Sequence, residues 1–173
     1  MAVTHSGSLT PAQMTIVRND IAASSDLNSL PNSDEGHSII ATLYNALSAP
    51  AIYVWRADVG KPEIISVTTT GGTAWSWTVY INRSQGERDA WREMFGVGSV
   101  DFNLTNVRQA INDIFSGAAP ASTQRAHVFA VATRQATRIE ALLSTGTGTI
   151  VSPSVMSFQG PILKQDIDAI LAV

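Results

Sequence analysis

The groups this 173-residue chain offers for chemistry are three histidines, fourteen carboxylates and abundant hydroxyls, with no cysteine. Without cysteine there are no disulfides, thiolate nucleophiles or sulfur-ligated zinc. His5, His37 and His127 fall in three different predicted elements. No two stand four residues apart, the helical spacing that aims a pair of imidazoles at one metal ion. No metal centre is expected; His127 reads as a structural or surface histidine and His5 as part of a loose arm. Asp58 with Glu63, and Asp166 with Asp168, are candidate carboxylate pairs. Nothing in the sequence supplies the desolvating pocket that would set one as acid and the other as base, so they read as solvated acids. Thr145-Gly146-Thr147-Gly148-Thr149 has the composition of a phosphate loop. Such a loop leads into a helix and carries a lysine, whereas this segment follows a predicted helix, so it reads as a stop and turn. No Gly-x-Ser-x-Gly elbow presents a serine as nucleophile. The expectation is a non-enzymatic chain with no cofactor.

Residues suited to contact are easier to find. Arg125, Arg134 and Arg138 lie on a predicted helix from Ser122 to Ser144, where Arg134 and Arg138, four apart, share a face and Arg125 stands nine before Arg134, about two and a half turns away. They form either a partner-facing stripe or a solvated polar face. Trp75 and Trp77 alternate in a β-prone run, which places both on one strand face. Their large apolar area puts core packing first and an inter-subunit contact second. Charged residues make up 14% of the chain, against about 25% in an ordinary domain. Serine (18) and threonine (16) take their place, and lysine occurs only at Lys61 and Lys164, beside nine arginines. Buried interfaces avoid lysine and glutamate but keep arginine, so this reads as a surface covered by partners, or as a low-lysine source composition. A net charge of −3 argues against stable or sequence-specific nucleic-acid binding.

These residues are positioned by mostly helical segments. Thr10-Pro11 signals a helix start, and Met14, Val17 and Ile21 place an apolar stripe on a helix over 11–24. A second helix carries Ile39, Ile40, Leu43, Tyr44 and Leu47 inward and stops at Pro50. Over 51–81 the runs 52–55, 64–70 and 75–79 predict two or three short strands, with Gly71-Gly72 as a hairpin turn. Ser84 with Glu87 is a capping box that opens a helix carrying Trp91, Met94 and Phe95. Helices over 105–116 and 122–144 follow, then a β-prone piece 155–158, a Gly160-Pro161 break and a terminal helix. The predicted fold is mainly α: a bundle of about five to six helices with a small β-hairpin or short-strand insertion. Residues 1–8 form a flexible arm and 9–173 a single domain, with roughly 70% of the unfolded chain's surface buried. Neither a signal peptide nor a membrane span is expected.

Several segments taken in order carry a likeness: Tyr53-Val54-Trp55-Arg56, Trp91, the run Asn106 to Ile111, the run Arg134 to Leu143, the Ser144 to Thr149 stop, and Phe158-Gln159-Gly160. Together they resemble a family of small tailed-bacteriophage virion structural proteins, over most of the chain from Leu9 onward and with no catalytic motif. The resemblance implies a subunit assembled into the virion in the host cytoplasm. Within that class it implies a head-to-tail connector or adaptor, a homo-oligomeric ring contacting portal and tail or neck proteins. A capsid decoration subunit, a tail terminator, or a hydrolase of phage assembly or lysis are the alternatives.

Overall fold

The structure, a computed structural model, describes residues 4–5, 9–96 and 98–172. The expected arm over 1–8 lies outside the described residues except for Thr4–His5. The chain folds into two compact units, one formed by residues 1–54 and 135–173 and the other by 55–134. In order, the elements are β1 (Thr4–His5), α1 (Pro11–Ala23), α2 (Ser25–Asn28), α3 (Asp34–Asn45), β2 (Tyr53–Trp55), β3 (Val59–Gly60), α4 (Lys61–Ser66), α5 (Trp77–Ile81) and α6 (Gln85–Met94). There follow β4 (Ser99–Val100), α7 (Thr105–Ile114), α8 (Ala121–Val131), β5 (Thr133–Gln135), α9 (Arg138–Leu142), β6 (Ser144–Thr145), β7 (Val155–Met156), β8 (Phe158–Gln159) and α10 (Lys164–Leu171).

This corrects the expected bundle of five to six helices. Among the described residues ten short helices are interspersed with eight short strands, an α/β mixture. The predicted helix over 122–144 is three elements, α8, β5 and α9. Helix α8 ends where the backbone finds partners outside the helix. The Ala132 carbonyl accepts from Arg56 N–H at 2.9 Å, and Ala136 N–H donates to the Ile52 carbonyl at 2.8 Å. The Thr133 hydroxyl donates back to the Phe129 carbonyl at 2.8 Å, the local competition that weakens helix ends. Thr137 then caps α9, and Glu140 reciprocates. The 51–81 region also differs. Ile64 lies in α4, and the hairpin shrinks to a single bridge, Thr68 with Ala74, around Gly72 at φ +74°. Trp77 opens α5 because the Ser76 side chain caps it, accepting from Val79 N–H, so Trp75 and Trp77 do not share a strand face.

Other boundaries follow their local signals. Thr10 and Gln13 cap α1, Ser84 and Glu87 cap α6, and α7 is followed by Gly117 at φ +95°.

The first unit packs α1, α3, α9 and α10 around Val17, Tyr44, Ile139, Phe158 and Ile167, all buried. Strand β1 pairs with β8 in parallel, Thr4 opposite Phe158, and β6 pairs antiparallel with β7. The second unit is built around Trp91, which is wholly buried with Phe95 at 4.5 Å, Trp75 at 5.0 Å and Phe115 at 5.5 Å between ring centroids. Strands β3 and β4 pair antiparallel and bring Val59 and Val100 into that core.

Candidate functional site

Two hollows of the first unit bring polar groups together among the described residues. The larger, about 610 Å³, has an apolar wall that includes Leu43, Leu47, Pro50, Ile52 and Leu142. Its polar end is Asp20, Asp26 and Arg138. Helix α1 presents Asp20, α2 presents Asp26, and the Thr137–Glu140 cap that starts α9 puts Arg138 on its first turn. The guanidinium donates to Asp26 Oδ2 at 2.5 Å, to Ser24 Oγ at 3.0 Å and to Asp20 Oδ2 at 3.4 Å. It also lies 5.3 Å from the Tyr44 ring centroid, a cation–π contact. Tyr44 donates its hydroxyl to Asp20 Oδ2 at 2.8 Å. Burial, reinforced by that bond to a carboxylate, pushes the Tyr44 phenol well above its usual value. Arg138 holds the Asp26 carboxyl below the ordinary carboxylate range. Partial burial disfavours the Arg138 charge, but the bond to Asp26 and the field of Asp20 outweigh it, and its pKa is raised. Two carboxylates and one guanidinium leave this end of the groove with a surplus negative charge, while Leu47, 63% exposed, stands on its apolar rim.

The smaller hollow, about 240 Å³, is lined by Leu27, Leu30, Asn32, His37 and Ile40, among others. His37 is buried, with Nδ1 2.6 Å from Asp168 Oδ1 and Nε2 2.8 Å from Asn32 Oδ1. Lys164 joins Asp168 at 2.8 Å and Asp34 at 2.9 Å. The Lys164 ammonium, with His37 behind it, holds the Asp168 carboxyl below its ordinary value. Asp168 and Asp34 in turn raise the Lys164 pKa. A histidine oriented by a carboxylate is the arrangement of a general base. Here the second ring nitrogen is engaged by Asn32, and the couple ties α10 to α3.

Of the residues singled out from sequence, Trp75 and Trp77 meet edge to face with ring centroids 5.7 Å apart, whereas the three arginines do not come together. Arg125 lies on α8, where its NH1 donates to the Phe115 carbonyl at 2.8 Å, closing the α7–α8 corner. Arg134 lies on β5, half-buried, and Arg138 on α9, so the arginine stripe of a single helix does not exist. Trp75 is half-buried against the Trp91 cluster, and Trp77 is 54% exposed. Asp58 and Glu63 flank Arg56, which pairs with both, and Asp166 caps α10 by accepting from Leu163 N–H at 2.8 Å. His127 is fully buried. Its Nε2 lies 2.8 Å from the Ile64 carbonyl, so that nitrogen donates and the residue is structural.

Sequence reading placed Tyr44 inward, where it lies wholly buried, but missed its bond to Asp20, as well as Asp26 and the exposed Leu47. It placed Leu47 and Ile39 inside; Ile39 is 39% exposed. The available signal was Thr137-x-x-Glu140, a second capping box that would have ended the long helix and placed Arg138 at a helix start. Among the described residues there is no group of three or more His, Asp or Glu able to hold a metal ion, and no helix long and apolar enough to cross a membrane. Comparison of the chain with protein-family models, curated proteins and solved structures finds no match.

Proposed function

We propose that this chain is a structural subunit of a tailed-phage virion, a connector or adaptor that forms a homo-oligomeric ring between portal and tail. The observation that carries the assembly half of this reading is the apolar surface each unit leaves exposed. In the first unit Leu47, Ile150 and Val151 are 63%, 66% and 93% exposed; in the second, Trp77 and Ile81 are 54% and 58% exposed. Large exposed apolar side chains grouped together, as Ile150 and Val151 are in sequence and Trp77 and Ile81 are on one helix, mark contact sites. Ring contacts are heterologous, one patch meeting a different patch on the neighbour, and they need two such surfaces per subunit. The phage half rests on the sequence resemblance alone.

Sedimentation across a concentration series, followed by electron microscopy of the assembled fraction, tests the proposal. Closed rings, or co-assembly with portal or tail protein, are expected; a monomer at every concentration refutes it. A hydrolase is the second reading, and His37 beside Asp168 is the observation that favours it. Turnover of an ester or peptide substrate abolished by His37→Ala, with the fold intact by circular dichroism, would establish that reading instead.

A further inference from the structure

The two units carry unlike charge and complementary apolar features. Three cations against seven carboxylates leave the first unit at −4, and eight against seven leave the second at +1. The groove of the first unit repeats that sign locally, with an apolar wall at Leu43, Leu47 and Leu142 ending in Asp20 and Asp26 against the single cation Arg138.

The second unit presents the counterpart. Trp77 and Ile81 are four apart on α5, so they share one face, and both are more than half exposed. A cation sits beside that face. Arg88 NH1 donates to the Ile81 carbonyl at 2.5 Å and to the Arg83 carbonyl at 3.0 Å. Among the described residues no carboxylate lies within ion-pair distance of it. Backbone carbonyls hold this guanidinium in place without neutralising it.

We infer that the occupant of the groove is a second copy of this chain, whose α5 lays Trp77 and Ile81 against the apolar wall and brings Arg88 to the acidic end. The inference rests on the assembly reading above and names the surfaces it uses. Charge decides the occupant. An apolar strip flanked by a cation meets an apolar groove flanked by surplus carboxylate, whereas groove on groove would oppose like charges. The contact joins the first unit of one copy to the second unit of the next. A linked pair keeps one free groove and one free α5 face, so the contact can propagate, into a closed ring where the rotation between copies closes and into an open filament where it does not.

The absence of cysteine makes the test free of background. Leu47→Cys and Ile81→Cys are purified separately, confirmed folded by circular dichroism, and mixed under mild oxidation. The expected result is linked dimer in the mixture and little in either variant alone. Carrying both substitutions on one chain gives a ladder of higher oligomers. Trp77→Ala is expected to weaken wild-type association by about tenfold or more, as loss of an aromatic anchor does. Wild-type sedimentation run in parallel separates the two claims. If the wild type assembles but linkage forms only between identical variants, or not at all, this contact is overturned and assembly stands. If the wild type never assembles, both fall.

Discussion

Replacing Gly36 by alanine sets two physical effects against each other, and the structure decides which wins. Gly36 lies in the first turn of α3, where alanine is favoured over glycine by up to about 1 kcal/mol. Propensity alone therefore predicts a more stable protein. In the structure a Cβ on residue 36 would lie 1.9 Å from the Pro31 carbonyl oxygen, and real Cβ atoms essentially never approach within 3.0 Å. The obstacle is backbone, so relief requires Pro31 to retreat by more than 1 Å, the gap between those two distances. That carbonyl accepts from Ser33 N–H at 2.9 Å, and the neighbouring Asn32 holds His37 Nε2 at 2.8 Å. Overpacking costs about 1–3 kcal/mol and a lost turn hydrogen bond about 1 kcal/mol more, against the propensity gain of about 1 kcal/mol. The net expectation is destabilisation by about 1–3 kcal/mol, a fall in Tm of roughly 2–12 °C for a chain of this size. Gly86→Ala is the control, because Gly86 also lies in a first turn, that of α6, and its Cβ would meet nothing within 4 Å. Thermal melts by far-ultraviolet circular dichroism should move in opposite directions for the two variants. A Gly36→Ala protein that melts at or above the wild type would falsify the steric argument.

Trp91→Ala should cost about 3–5 kcal/mol in urea unfolding, because the ring is wholly buried, while Trp77→Ala, which removes a half-exposed ring packed edge-on against Trp75 and Tyr80, should cost clearly less; equal losses would contradict the difference in burial. Glu140 is buried and accepts from the backbone N–H groups of Thr137 at 3.0 Å and Gly160 at 3.1 Å. Glu140→Ala strands both donors and should destabilise by about 2–3 kcal/mol, with Glu140→Gln milder; an alanine variant of wild-type stability refutes this. The pH dependence follows from Asp168, whose folded pKa lies below its unfolded value. Its stabilising contribution is present above the unfolded value of about 3.9 and is lost as pH falls through the lower folded one. Lys164 has the opposite sign: its raised pKa gives stability at neutral pH that is lost as pH climbs through the folded value. Asp168→Asn should therefore flatten both limbs of the Tm–pH curve, and an unchanged curve would show that the His37–Asp168–Lys164 cluster contributes nothing.

Local instructions were legible in the chain wherever a short segment satisfied itself. Thr10-Pro11 and Ser84 with Glu87 start helices because the capping hydroxyl, the orphan N–H and the reciprocating side chain all lie within four residues. The stops near Gly96 and Gly117 and the turn at 145–149 are local in the same sense. The absence of cysteine and the scarcity of charge are likewise properties of composition, independent of fold.

Tertiary structure alone decided the fate of 122–144, of Trp77 and of Leu47. Nothing in residues 132–136 forbids a helix; the strand forms because Ile52 and Arg56, about eighty residues earlier, offer a carbonyl and an N–H at that point. Trp77 follows Ser76, whose N–H is taken by Gln124 at 2.7 Å while its hydroxyl caps α5. The groove, the Arg138 cluster and the His37 couple each join residues more than a hundred positions apart. Pairings of that separation form only when the global fold brings them together, and no window of sequence contains both partners.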